Sequence, residues 1–513
     1  MVDEEIVGLF AAEGLLVSPE ALEFLKGLDE PLAFASRVAG EARKRGLFVV
    51  ERNLVEELAE LKEDEKIPVP AEVSRAPDWK PLAREWGPDL RFFDSTDVSR
   101  KSRCKGKVED FVAYFRDRLA RTRKIIEARG GGGNGALSTK ALPALDRGRE
   151  LRVIGLVKSK RPTKKGDLLV EVEDEEGVAK VWIGKGRNER EQACFRSAAG
   201  LLLDEAVAVD GRWSDPFVIA VEIVWPDVPV RAPKRAEKDV AVAFLSDLHV
   251  GSKLFLEKEF ASFIRWINGG AETREGREIA GRIKYLVVAG DIVDGIGIYP
   301  RQEKELLVRD IFEQYRICGK FLAALPDYVE VVVAPGNHDA VRRAEPQPGF
   351  SGEIADALGG GSNLHLVGSP SFAEIEGFST LIYHGTSLDS IIAALPGMSY
   401  ARPEKPMCEL VRRRHLSPLF GENLIVPEQK DYMLIEKLPD IVHMGHVHKN
   451  GYEAYRGILM VNSGTWQART EFQAKQGHMP SPGILPVYDL RKGDISAVRF
   501  ADEAKAGAEG GRL

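Results

Sequence analysis

At 513 residues and 56.6 kDa the chain is too long for one ordinary hydrophobic core, so several folded units are expected. A composition of 44% hydrophobic and 29% charged residues excludes a disordered chain, and no apolar run approaches bilayer length, so no membrane role is expected. A net charge of −7 with a pI near 5.9 excludes a whole-protein basic field, which leaves local patches or a partner as routes to nucleic acid.

The N-terminal stretch MVDEEIVGLF is acidic where a secretory signal would be basic, so a cytoplasmic location is expected. Cys104, Cys194, Cys318 and Cys408 lie far apart with no paired spacing, which argues for reduced thiols rather than a zinc ribbon or a disulfide framework. Residues 1–65 read as a small helical module. Ser18-Pro19-Glu20 opens a helix, and two further amphipathic segments follow. The module either packs only on itself or serves as an interaction domain. Residues 66–148 read as a linker, proline-rich at its start, with a basic helical segment at 107–129. From Arg91 to Arg129 twelve Lys/Arg face six Asp/Glu, either a solvated helix face or a dock for phosphates or an acidic partner. The run Gly130–Gly135 reads as a flexible joint.

From 149 to 232 the pattern turns to short strands, three of them, then a helical segment, then two more. That order is the order of an OB-fold β-barrel. Its lysine-rich first loop (Lys158, Lys160, Arg161, Lys164, Lys165) is suited to phosphates, but Trp182 is the best aromatic available for stacking and is as well suited to the core. Residues 238–502 alternate buried strands with helices and read as one catalytic-type domain, while 503–513 read as a disordered tail.

Within 238–502 five apolar runs end abruptly in potential metal ligands. They are Asp247-Leu248-His249, Gly290-Asp291, Gly336-Asn337-His338-Asp339, His384-Gly385 and Gly445-His446-Val447-His448. Extended geometry through Asp247 and His249 would place both on one face. Carboxylate, amide and imidazole donors without thiolate suit hard or borderline divalent cations, and adjoining glycines leave room for a close approach.

This set of motifs resembles the calcineurin-like metallophosphoesterases over roughly half the chain. The resemblance implies a double β-sandwich flanked by helices, so that the whole chain is α+β, with the sandwich joined to the OB barrel. It implies two divalent metal ions, with manganese expected and iron, zinc or magnesium compatible. Asp247, His249 and His448 look like ligands of the first metal, Asn337, His384 and His446 of the second, and Asp291 like the bridging carboxylate. His338 resembles the family's general acid, protonating the oxygen that departs when a hydroxide held between the metals attacks phosphorus. Asp339 either orients His338 or caps the next turn. His365, His415, His443 and His478 are expected to be structural, with His443 in the core.

The blocks GDIVDGIGIYP, APGNHDAVRRAEPQP, YHGTSLDSII, RRRHLSPLFGEN and DIVHMGHVHKNGY, with CKGKVEDFVAYFRDR before the barrel, narrow this further. They resemble the small subunits of archaeal family D DNA polymerases. That implies a proofreading 3′→5′ exonuclease acting on DNA with a 3′ end, partnered with a large catalytic polymerase subunit and reaching the sliding clamp or primase through the assembled enzyme. Asp294, Tyr299, Arg342 and Arg343 are the expected substrate-side contacts. The alternatives are a non-catalytic scaffold subunit and a free-standing metal-dependent phosphodiesterase.

Overall fold

Apolar runs too short for helices and too continuous for half-exposed strands build the core of the larger of two units. In the computed structural model, which describes residues 2–28, 31–44, 46–60, 79–129, 135–186 and 188–502, Ala241–Leu245, Ile283–Ala289 and Glu330–Ala334 are parallel neighbours, almost wholly buried. Burial on both faces is why they carry no polar alternation. They lie in a six-stranded sheet ordered Leu364–Leu366, Glu330–Ala334, Ile283–Ala289, Ala241–Leu245, Ile484–Asp489, Ile495–Arg499. A second six-stranded sheet is ordered Asn450–Tyr455, Ile458–Ser463, Ile441–Met444, Phe378–Ile382, Ser371–Ile375, Leu90–Phe92. Phe244, Val287 and Val332 of the first sheet share one core with Ile382, Ile441 and Val461 of the second, so the two form a sandwich.

Five strands, Glu150–Pro162, Leu168–Glu173, Val178–Ile183, Ala206–Ser214 and Phe217–Val224, close into a separate barrel, with helix Glu189–Ala199 between the third and fourth. Closure needs sharp bends, and glycine supplies them: a Cβ on Gly155 or Gly211 would strike the backbone of the neighbouring strand. Trp182 packs edge-on against Phe217 with ring centroids 5.8 Å apart.

Residues Met1–Pro68 form a unit of their own. Helices Val2–Ala12, Pro19–Lys26, Pro31–Lys44 and Arg52–Glu60 surround Ile6, Phe10, Leu25, Val38 and Val55, and Leu16–Val17 pairs in parallel with Val49–Val50. Ser18 caps the second helix by accepting from the Ala21 N–H at 3.2 Å. No helix among the described residues is long and apolar enough to cross a membrane.

The stretch read as a linker differs from that expectation. Its residues 66–78, most of the glycine run and the tail 503–513 lie outside the described residues. The rest is built into the fold. Leu90–Phe92 forms an edge strand of the second sheet, with Phe92 opposite Ala373. Three residues are too few for periodicity to reveal them. Helix Val108–Ala128 is not a solvated basic face either, since Tyr114, Arg118, Leu119, Thr122 and Ile126 are buried. Arg118 pairs with Asp431 at 2.8 Å, and Arg121 pairs with Asp117 and Glu436, so part of the local positive charge is neutralised internally. Long-range pairing of this kind leaves no trace in local sequence.

His415 belongs to the same network. Its Nε2 donates to Asp431 at 2.8 Å while its Nδ1 accepts from the Ser417 N–H at 3.0 Å, so the neutral ring fits and a second proton has no place. Burial and the Arg118 charge push its pKa down to about 4. The folded state therefore binds fewer protons than the unfolded chain, whose histidine titrates near 6.5. The stability this contributes is complete above about pH 6.5 and is lost as pH falls toward 4, about 3 kcal/mol in all. Denaturant midpoints measured from pH 7.5 to 4.5 should fall across this window, and the fall should be shallower in His415→Gln.

Candidate metal centre

Three of the five strand tips deliver their ligand candidates through a left-handed bend rather than by continuing the strand. Asp247, His249, Asp291, His446 and His448 have φ of 52°, 53°, 51°, 69° and 56°. A left-handed backbone is uncommon for residues other than glycine, and five instances of it facing one point mark a strained site. The same-face placement of Asp247 and His249 arises this way and not from strand alternation. Their N–H groups donate to the Gly290 and Asp291 carbonyls at 2.9 and 3.1 Å, locking two tips together, while Leu248 between them is buried.

The glycines leave space for ligands. A Cβ on Gly336 would overlap the Asp291 carboxylate, one on Gly445 the Asp247 carboxylate and the Ser246 side chain, and one on Gly290 would come within 2.7 Å of His384 Nδ1. Gly445→Ala is therefore expected to push Asp247 out of register and weaken metal binding about 10–100-fold, the range seen for changes behind metal ligands. Isothermal titration with manganese on the folded variant measures this.

The donors fall into two groups. Asp247, His249 and His448 converge, with His249 Nε2 to His448 Nε2 at 3.1 Å and His448 Nε2 to Asp247 Oδ1 at 3.3 Å. Asn337, His384 and His446 converge separately, with Asn337 Oδ1 2.9 Å from His384 Nε2 and 3.0 Å from His446 Nδ1. Asp291 stands between them, its Oδ2 3.3 Å from His384 Nε2 and 3.9 Å from His249 Nε2. Two imidazole nitrogens 3.1 Å apart need a proton or a cation between them. Burial opposes protonation of His384, but Asp291 and Asp247 outweigh it and push its pKa up to about 10. Divalent cations compete with such protons for the same lone pairs. The oxygen and nitrogen donor set fits divalent metal ions without selecting one.

Behind the donors a second layer fixes ring orientation. His249 Nδ1 meets Asp294 Oδ1 at 3.0 Å, His384 Nδ1 donates to the Ala289 carbonyl at 2.7 Å, His446 Nε2 meets Asp389 at 3.0 Å, and His448 Nδ1 meets the Gln473 amide at 2.8 Å. Each leaves the opposite nitrogen facing the site.

Several expectations shift accordingly. Asp294 is 1% exposed, and its carboxylate on the pocket lining faces His249 Nδ1 and is held in turn by Gln302 and Gln467. Asp339 does not orient His338. Its carboxylate accepts from the Gly336 N–H at 2.8 Å and from the Tyr315 hydroxyl at 3.3 Å, tying the tips together, and burial beside Asp291 raises its pKa to about 7. His338 is fixed instead by Nδ1 donating to the Asp294 carbonyl at 2.8 Å, and burial lowers its pKa. Tyr299 does line the pocket, its ring centroid 6.2 Å from that of His338. Arg342 is spent on the Pro346 carbonyl and Glu428, and Arg343 on the Ile298 carbonyl, away from the pocket lining.

His443 is buried against Phe244 and Ser463, and His365 pairs with Glu330. His478 lies on the pocket lining and stacks on Tyr400 with centroids 3.9 Å apart. Asp389, Gln467, Gln473 and Tyr400 were missed because they sit on loops and short helices without the strand-then-ligand signal.

The calcineurin-like phosphoesterase family matches residues 240–459, which hold all five tips. The DNA polymerase II small subunit of Archaeoglobus fulgidus is 38% identical over 501 residues, covering 96% of this chain and 97% of that one. Its namesake from Methanothermobacter thermautotrophicus is 37% identical over 97% of this chain and 100% of its own, and that of Methanocaldococcus jannaschii 40% identical over 80% and 68%. With identity of this extent running through barrel and sandwich alike, the chain belongs to the family of archaeal DNA polymerase II small subunits and carries a calcineurin-like phosphoesterase domain.

Proposed function

We propose that the chain is the nuclease-bearing small subunit of a replicative DNA polymerase, a 3′→5′ exonuclease using two divalent metal ions and assembling with a large polymerase subunit. The observation that carries this reading is Asp291, at one strand tip, standing between two triads of donors drawn from the other four. Asp247, His249 and His448 would hold one ion, Asn337, His384 and His446 the other, and Asp291 both. Such a pair supplies charge to the phosphoryl oxygens and makes water nucleophilic near neutral pH.

His338 Nδ1 is committed to the Asp294 carbonyl, so Nε2 is the ring atom left to give a proton to the departing 3′ oxygen. A bound phosphodiester's negative charge opposes the burial that lowers this pKa. Tyr299 is retained as a substrate-side contact.

The barrel's strand order, with a helix between its third and fourth strands, supports an OB-fold. We assign it and the N-terminal unit to contacts with the large subunit and its associates. The test is digestion of matched and mismatched 3′-ended DNA with manganese, with and without the large subunit. Release of mononucleotides from 3′ ends is expected, faster from mismatched ends. Metal-loaded protein that leaves every 3′ end intact would remove the catalytic reading in favour of a scaffold.

A further inference from the structure

One side of the metal pocket is built differently from the other. Asp291, Asp294, Glu305 and Asp389 line the cavity, which encloses about 260 Å³. That is a little below the roughly 300–1,000 Å³ of ordinary small-molecule sites. Asp291 and Asp294 are buried among the donors, but Glu305 and the half-exposed Asp389 put negative charge nearer the rim, which repels a polyanion such as DNA wherever metal charge does not reach. Grip at the mouth has to come from contacts that such repulsion does not weaken, and the faces of bases provide them.

The structure places aromatic faces there. Phe472 lines the pocket yet is 65% exposed, on the short helix Glu471–Lys475. The same helix is fastened to the metal site, because Gln473 accepts from the Thr470 N–H at 3.1 Å and reaches His448 Nδ1 at 2.8 Å. Tyr400 and His478 stack on each other at the same mouth, with the Tyr400 hydroxyl bonded to Asp389, the carboxylate that backs His446. Arg469 stands just off the lining, next in sequence to the lining residue Thr470, its charge acting on His478 and its Nε buried without a hydrogen-bond partner.

We propose that Phe472, the Tyr400–His478 pair and Arg469 form a strand-entry subsite that holds an unpaired 3′-terminal segment of DNA. The rings stack on its bases and the guanidinium meets a phosphate. This rests on the nuclease reading above and adds to it a reason for selectivity: only a frayed end can present both a base face to the lip and a phosphate to the donors. Stacking tolerates any base, so the subsite reads pairing and not sequence.

The test compares two substrates on the full chain bound to the large subunit with manganese: a single-stranded oligonucleotide and bis(p-nitrophenyl) phosphate, which is too small to span the lip. Phe472→Ala should raise KM for the oligonucleotide about 10-fold, the usual worth of one base–aromatic stack, and lower the oligonucleotide-to-small-diester ratio accordingly. Phe472→Trp should restore it, which a merely structural loss would not allow. Arg469→Gln should flatten the salt dependence of oligonucleotide KM by about 0.7 in logarithmic slope, one phosphate contact on a single strand. If Phe472→Ala keeps the wild-type ratio and Arg469→Gln keeps the wild-type slope, the subsite is overturned while the nuclease stands. If the wild type cleaves neither substrate with any divalent metal, both readings fall together.

Discussion

Replacing His338 with alanine is expected to reduce DNA hydrolysis about 10²–10⁴-fold while both metal ions stay bound, the worth of a positioned proton donor. The geometry makes this a sharp test. The His338 ring centroid lies 4.7 Å from that of His249, and with Asp291 these side chains could themselves cradle an ion. A ligand and a proton donor therefore compete as descriptions of the same ring. As ligand, His338 would give up metal along with activity. As donor, it leaves a full complement of metal in a protein that binds DNA and turns it over slowly. The hydrogen bond from Nδ1 to the Asp294 carbonyl is compatible with either. Metal content by elemental analysis, beside single-turnover rates on the same preparation, decides between them. His338→Asn, which keeps a polar group but no titrating nitrogen, should remain near the alanine level if proton transfer is what was lost.

Much of the centre was legible because its ligands are coupled to strand ends. An apolar run stopped by Asp, Asn or His beside glycine is a local signal, and five of them in one domain identified all seven converging donors. The mechanism of convergence was not legible. Alternation suggested a same-face pair at Asp247 and His249, whereas left-handed bends produce it. Residues that act through others were missed. Asp294 was taken for a substrate contact because it follows the Asp291 motif, and its contact with His249 was not foreseen. Asp389 and Gln473 come from segments with no motif and are found only once the chain is folded. The same limit explains Leu90–Phe92 and Arg118. A three-residue edge strand and a buried arginine are both defined by partners far away in sequence, Ala373 and Asp431.

Asp431→Ala is expected to lower folding stability by about 3–5 kcal/mol, the cost of leaving a buried charge without its partner. The Arg118 side chain is 1% exposed and Asp431 0%. Arg118 Nε donates to Asp431 Oδ2 at 2.8 Å, its Nη1 to the carbonyls of Asp204 and Pro418 at 3.0 Å, and its Nη2 to the Tyr114 hydroxyl at 2.8 Å. Asp204 lies on the loop entering the fourth barrel strand, Pro418 and Asp431 lie in the phosphoesterase region, and Arg118 comes from helix Val108–Ala128. One guanidinium thus fastens three parts of the chain. Burial opposes charge on both partners, but His415 and Arg118 together keep Asp431 ionised well below the usual carboxylate range, and Tyr114 and Asp431 raise Arg118 further. Removing the carboxylate strands the cation, which then has only neutral acceptors. Arg118→Met should also destabilise, since two carbonyls and a hydroxyl lose their donor. The double variant should cost clearly less than the two single losses added together, because neither charge is then orphaned. Denaturant midpoints for the four proteins of this cycle give the coupling directly, and strictly additive losses would mean that the ion pair does not hold the barrel to the phosphoesterase region.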